Sequence, residues 1–340
     1  MRSLFWIPPD DMRHAYGASL IRALEGSLLS RKTLDAMARA TDAAEALEEL
    51  SETTYATHMA PGQRVADFEQ ILQRMLEEAY RLLRRLILDD DLEQGMLRVH
   101  DFHNLKAVMK ASLAGVEPKG LVRLGVVDPA TIRAAAESGD YATIPPDMAE
   151  IARRVARAYE MVEDPRLLEV VLDGAAVGAR VAALTRLNTP VMPDYAALLA
   201  DTTNIRTLAR VSRMNAESAL FETAFIPGGR LNLDRLRAAV GKGSSAVVEA
   251  CANTLYAKAM QEGLSYLQDR KSFAVLDREL ENLLVAKLRE TQFVFFSPAP
   301  IIAFVLAREH EVSMVRLVMV AKINGIPSDL IAARLPMLYG

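Results

Sequence analysis

One ordered set of landmarks occurs three times along the 340 residues, at intervals of roughly 100 residues, about the length of one small domain. In the first set, Glu-Thr-Thr-Tyr-Ala at Glu52–Ala56 precedes a helical stretch carrying Glu69 and Gln73, and Asp101-Phe-His-Asn104-Leu-Lys106 follows. In the second, Ser-Gly-Asp-Tyr-Ala at Ser138–Ala142 precedes Glu169 and Asp173, then Asp201-Thr-Thr-Asn204-Ile-Arg206. The third is more worn: Asn-Thr-Leu-Tyr-Ala at Asn253–Ala257, then Asp277 and Glu281, then Glu311-Val-Ser-Met314-Val-Arg316. Tyr-Ala alone carries little weight, since Tyr195-Ala196 also has it. The order is what persuades, together with the acidic, apolar and basic positions of the last block, which coincide in all three copies.

The pattern within the units is helical. Phe68, Ile71, Leu72, Met75, Ala79, Leu82, Leu83 and Leu86 recur at steps of three and four, with Glu77, Glu78, Arg81 and Arg85 between them, which predicts one long amphipathic helix. Asp42 followed by Glu45 reads as a capping box. A helix starting near Asn104 is expected to stop at Gly115, Pro118 and Gly120, and Asp128-Pro129 and Asn232-Leu-Asp234 restart helices. β-branched alternation never persists, so strands are not expected. The chain is therefore read as all-α, with repeats over 1–116, 117–224 and 225–340. Gly115–Gly120 closes the first and Phe225-Ile-Pro-Gly-Gly229 opens the third. Without low-complexity linkers, the units are expected to pack directly on one another.

Forty basic residues stand against 44 acidic ones, for a formal net charge of −4, and the signs are interspersed. That balance offers no electrostatic case for nucleic acid. The single cysteine, Cys251, forms no internal disulfide and supplies no metal set, which fits a reducing compartment and the cytoplasmic side. Met1–Pro9 holds Trp6 and Ile7, but Pro8, Pro9, Asp10 and Asp11 break it, so no signal peptide is read there. The most apolar stretch, Phe293–Ala307, is interrupted by Pro298 and Pro300 and falls short of a membrane span.

Gly241-Lys-Gly-Ser-Ser245 resembles a phosphate-binding loop but lacks its first glycine and any preceding strand, so a polar turn between helices is expected and no nucleotide is assigned. His100 and His103 beside Asp101 form a weak metal pattern and read better as a solvated helix start. His310 between Glu309 and Glu311 reads as charge-balanced on an exposed helix face. Asp89–Asp91 and Arg81, Arg84 and Arg85 read as helix-surface charge. No nucleophile elbow, Cys/His pair or dinucleotide fingerprint is visible, so no catalytic residue, cofactor or metal is assigned. Asp101 and Asp201 are expected to cap the helices that follow them. The other reading has the blocks line a surface that grips a partner, through Asp101, Asn104, Lys106, Asp201, Asn204, Arg206, Glu311 and Arg316.

Leu24-Glu-Gly-Ser-Leu-Leu29, Leu50-Ser-Glu-Thr-Thr-Tyr55, the three blocks and Phe225–Gly229 together resemble the C subunits of the prokaryotic A/V-type ATPases, whose eukaryotic counterpart is the d subunit of the V-ATPase. The resemblance spans about Tyr16 to Tyr339. It implies three similar helical domains arranged as a pseudo-threefold funnel with a central cavity. It also implies a noncatalytic place on the central stalk, between the stalk subunits D and F and the membrane proteolipid ring. Gln73, where the other sets carry acid, and Met314, where two blocks carry asparagine, depart from strict equivalence. Two other readings compete. A scaffold for other soluble proteins would stack the repeats as a solenoid, and an enzyme with dispersed residues would show a deep pocket of perturbed titratable groups.

Overall fold

The computed structural model describes residues 12–60, 62–162, 165–189, 191–213 and 218–340; the expectation for Met1–Pro9 lies outside them. Among the described residues the chain is helical throughout and has no strand. The first part contains α1 (Ala15–Leu24), α2 (Arg31–Arg39), α3 (Ala43–Glu48) and α4 (Phe68–Leu86). Next come α5 (Asp90–Ala114), α6 (Pro129–Ser138), α7 (Pro146–Val162), α8 (Pro165–Thr185) and α9 (Met192–Arg213). Short helices α10 (Ser218–Ala224), α11 (Leu233–Arg237) and α12 (Ser244–Ala250) follow, then α13 (Ala257–Arg270), α14 (Ala274–Arg289), α15 (Ala299–Ile323) and α16 (Ser328–Ala332).

Local chemistry sets these boundaries. The Asp42 carboxylate accepts from the amides of Ala44 and Glu45 at 2.8 and 2.9 Å, while Glu45 reaches back to the Thr41 amide at 2.6 Å. This closes the expected capping box one residue further out than usual. Asp128 and Asn232 cap α6 and α11 as read. The helix expected to start near Asn104 starts instead at Asp90. Asp89 accepts from the Leu92 amide at 2.9 Å, and Asp90 and Asp91 sit in the first turn, where the helix dipole favours anions. Its end is as expected, with Gly115 left-handed at φ 64°.

The chain divides into two compact units. One takes the residues through Leu88, a short piece at 189–191, and Gln261–Gly340. It is built on α15, which packs against α1, α2, α3, α4, α14 and α16. Val312, Val315 and Val318 are fully buried there among Leu34, Met37, Tyr55, Ile71 and Leu72. Each such side chain contributes about 1.5–3 kcal/mol by leaving water. Residues from both ends of the sequence thus share one core.

The other unit takes Asp89–Asn188 and Met192–Met260. Here α5 lies along α8, α8 also packs on α9, and α6 and α7 flank them. Phe102, Leu105, Ile132, Met148, Val155 and Leu172 form its core. A Cβ on Gly95 would stand 2.3 Å from the Ala183 methyl, so glycine is what lets α5 and α8 approach so closely. No helix among the described residues is long and apolar enough to cross a membrane.

Candidate functional site

The three repeated blocks lie inside α5, α9 and α15, and their burial runs in the same order. In each, the acid and its neighbour are buried, as are the fourth and fifth residues; the basic sixth residue is half-buried and the tenth is exposed. Asp101, Asn104, Asp201 and Asn204 are 0% exposed and Glu311 is 2% exposed. Buried polar groups must be hydrogen-bonded, and these bond to loops distant in sequence, so that each block forms a clasp.

In α5, the Asn104 side chain grips both backbone groups of Val122, accepting from its amide and donating to its carbonyl, each at 2.8 Å. One turn earlier, Asp101 accepts from the Val127 amide at 3.0 Å and faces Arg98 at 3.3 Å. A Cβ on Gly125 would lie 2.0 Å from the Asp101 oxygen. In α9 the arrangement recurs. Asn204 grips Ile226 at 2.9 and 2.8 Å, and Asp201 accepts from the amides of Arg230 and Leu231 at 2.8 and 3.0 Å. Gly229 stands 2.0 Å from Asp201 by the same measure. Tyr256 adds a hydroxyl donor to Asp201 at 2.8 Å.

In α15, Glu311 reaches the chain's first part. It accepts from the Leu29 amide at 2.5 Å and from the Tyr55 hydroxyl at 2.8 Å. Arg308 also donates to Glu311, and to the Ser27 hydroxyl at 3.1 Å. Arg98 and Arg308 both stand three residues before their acid. Met314, in the asparagine position, packs into the apolar core and grips no loop.

These contacts correct the expectation that Asp101 and Asp201 cap following helices. Each sits mid-helix and secures an incoming loop by accepting its amides. The contacts also pair a block with the tyrosine of another set: Asp201 takes Tyr256, and Glu311 takes Tyr55. The Tyr141 ring instead lies under Arg153, 6.0 Å from the guanidinium. Ion pairs cross between sets in the same way, with Lys106 on Asp173 at 2.5 Å and Arg316 on both oxygens of Glu69 at 2.9 and 3.0 Å.

Burial raises the pKa of the Tyr55 and Tyr256 hydroxyls well above its ordinary range, with the neighbouring carboxylates acting in the same direction. Both therefore stay protonated as donors. Burial also raises Asp101, against the opposing pull of the amides and Arg98. The Cys251 thiol is pushed up to about 12, mainly by burial, so it is held far from the reactive thiolate.

Two histidine expectations change. His100 and His103 lie in the middle of α5 rather than at a solvated start; His100 is buried, and His103 faces the Gly120 carbonyl at 3.1 Å. His310 is buried rather than exposed, with Nδ1 3.2 Å from Glu281 and Nε2 2.9 Å from the Met337 carbonyl. The expected turn leads from α11 into α12 through Gly241 and Gly243, both at positive φ, and Ser244 and Ser245 already open α12. Among the described residues no group of three or more His, Cys, Asp or Glu is placed to hold a metal.

The ATP synthase (C/AC39) subunit family matches residues 18–334. Similar proteins include the C subunit of the V-type ATP synthase of Thermus thermophilus, 27% identical over 92% of this chain and 95% of that one. The C subunit of the V-type sodium ATPase of Enterococcus hirae is 22% identical over 94% and 97%. Its counterpart in the A-type ATP synthase of a Desulfurococcus species is 24% identical over 93% and 88%. With the match covering nearly the whole chain, this chain belongs to the ATP synthase (C/AC39) subunit family, a noncatalytic component of the rotary V/A-type complex.

Proposed function

We propose that the chain is the central-stalk coupling subunit of that complex, linking the stalk subunits D and F to the membrane proteolipid ring on its cytoplasmic face. In this role it transmits torque for ATP-coupled proton or sodium transport. Three repeats, over 1–116, 117–224 and 225–340, stand around a pseudo-threefold axis, and a central cavity receives the stalk.

The observation that carries this reading is the third clasp. The last block finds its loop, at Ser27–Leu29, and its tyrosine, Tyr55, at the opposite end of the sequence. A set of repeats that closes on itself requires such a return, whereas a solenoid leaves its first and last repeats apart. Packed helices satisfy their own backbone hydrogen bonds and yield little under load, which suits a spacer that carries torque. The buried acids and asparagines of the blocks, Asp101, Asn104, Asp201, Asn204 and Glu311, are occupied with internal bonds, so the stalk contact proposed here falls to other residues.

The test is purification of tagged protein from gently solubilised membranes of its host, with mass spectrometry of what accompanies it. Ring and stalk subunits should co-purify and be lost when the membranes are stripped. Recovery of soluble partners alone would overturn the coupling role in favour of a scaffold.

A further inference from the structure

Beside the third clasp is a cavity of about 510 Å³ for which coupling the stalk to the ring supplies no use. It lies between α1, α4 and α15, and its volume falls in the range of small-molecule sites. Leu20, Leu24, Leu82 and Phe304 give it apolar walls. The buried Arg308 lies at its base with the guanidinium 5.5 Å from the Phe304 ring centre, but Glu311 and Ser27 already engage that charge.

The rim carries charge that is not so engaged. Arg81 and Arg85 line the cavity one turn apart on α4 and are exposed, and neither has a hydrogen-bond or ion-pair partner among the described residues. Glu78, toward the other end of the same rim, is turned to His58 at 3.0 Å. From Glu78 to Arg85 the helix advances about 10 Å, so the rim runs from a paired acid to two unpaired bases. The last turn of a helix accommodates cations through its dipole, which accounts for Arg85 but not for Arg81, a turn earlier. It does not account for the open apolar slot between them and α1.

We infer that this cavity binds an anionic amphiphile, its single carboxylate or phosphate held by Arg81 and Arg85 and one of its alkyl chains lying between Leu20, Leu24, Leu82 and Phe304. A head group with two acceptor oxygens matches guanidinium donors, and the apolar walls exclude a simple inorganic anion as the preferred ligand. Lipid headgroups and free fatty acids share this chemistry.

The experiment titrates the full chain with sodium dodecanoate below its micelle concentration and, separately, with inorganic phosphate, by calorimetry. Co-sedimentation with phosphatidylglycerol vesicles is measured in parallel. Dodecanoate should bind once per chain, at least tenfold more weakly to the Arg81→Gln/Arg85→Gln variant and to Leu82→Gln, with melting temperatures confirming that both variants fold. Inorganic phosphate should not saturate. Vesicle binding that the double variant loses identifies a lipid source, and dodecanoate binding without vesicle binding identifies a free amphiphile. No saturable dodecanoate binding, unchanged affinity in the folded variants, or phosphate binding as tightly as dodecanoate would overturn the inference.

Discussion

Asp101, Asp201 and Glu311 show how much one buried side chain settles when the groups around it leave no alternative. A carboxylate withdrawn from water needs its oxygens filled with donors, and each acid here fills them with amides of a loop that would otherwise have its own buried donors unmet. Asn204 performs the neutral version, satisfying both backbone groups of Ile226. Asn204→Ala should therefore destabilise the chain by about 2–3 kcal/mol, because two buried partners are left unpaired at once. Gly229→Ala should cost at least as much, since its methyl would meet an Asp201 oxygen 2.0 Å away. Denaturant midpoints measure both. The pH dependence of Asp101 has a definite sign. Its folded pKa is raised by burial, so the folded state holds its proton at pH values where the unfolded chain has released it. The stability it contributes is present below the ordinary value of 3.8 and is lost as pH rises through the raised one. The stability of the parent minus that of Asp101→Asn should decline as pH climbs from about 4 toward neutrality; a flat difference contradicts the assignment.

At the scale of elements, the sequence makes α4 plain because its apolar residues fall on one face, with charge filling the rest. It hides the start of α5. Asp101 and Asn104 are residue types that ordinarily open a helix, and periodicity cannot tell an N-cap from a polar residue kept mid-helix by a distant loop. The repeated blocks are legible as landmarks for the same reason that their role is not. Spacing records the recurrence of an acid, but not which loop supplies its donors, so Tyr55 reads as a member of the Asp101 set although it bonds Glu311. The α5 and α8 contact separates two kinds of interaction. Lys106 and Asp173 are 25% and 58% exposed, and Lys106→Ala should change stability by less than about 1 kcal/mol because solvent screens such pairs. Gly95→Val wedges a branched side chain where even a methyl has no room, and overpacking there should cost about 1–3 kcal/mol or more. Paired thermal melts of the two variants check the contrast.

Across the whole chain, the unit that contains Glu311 is assembled from both ends of the sequence, and that gives its stability a character that can be measured. α4 and α15 are separated by more than two hundred residues, yet they pack face to face, joined by the Arg316–Glu69 pair. Leu34, Ile71, Leu72, Val312 and Val315 contribute to one core. Neither helix can leave without exposing the apolar face of the other, so the two should open as one cooperative unit. Native-state hydrogen exchange should then give the slowest amides of α4 and α15 the same opening free energy. Tyr55→Phe, which leaves a Glu311 oxygen without its hydroxyl donor, should lower both values together by about 1.5–3 kcal/mol, the range for a hydrogen bond to a charged group. If the repeats behaved as an open stack, the terminal elements would unfold independently, and the variant would lower protection only beside Tyr55. Equal shifts in two helices so distant in sequence follow from a chain in which α15 completes a core that α4 begins.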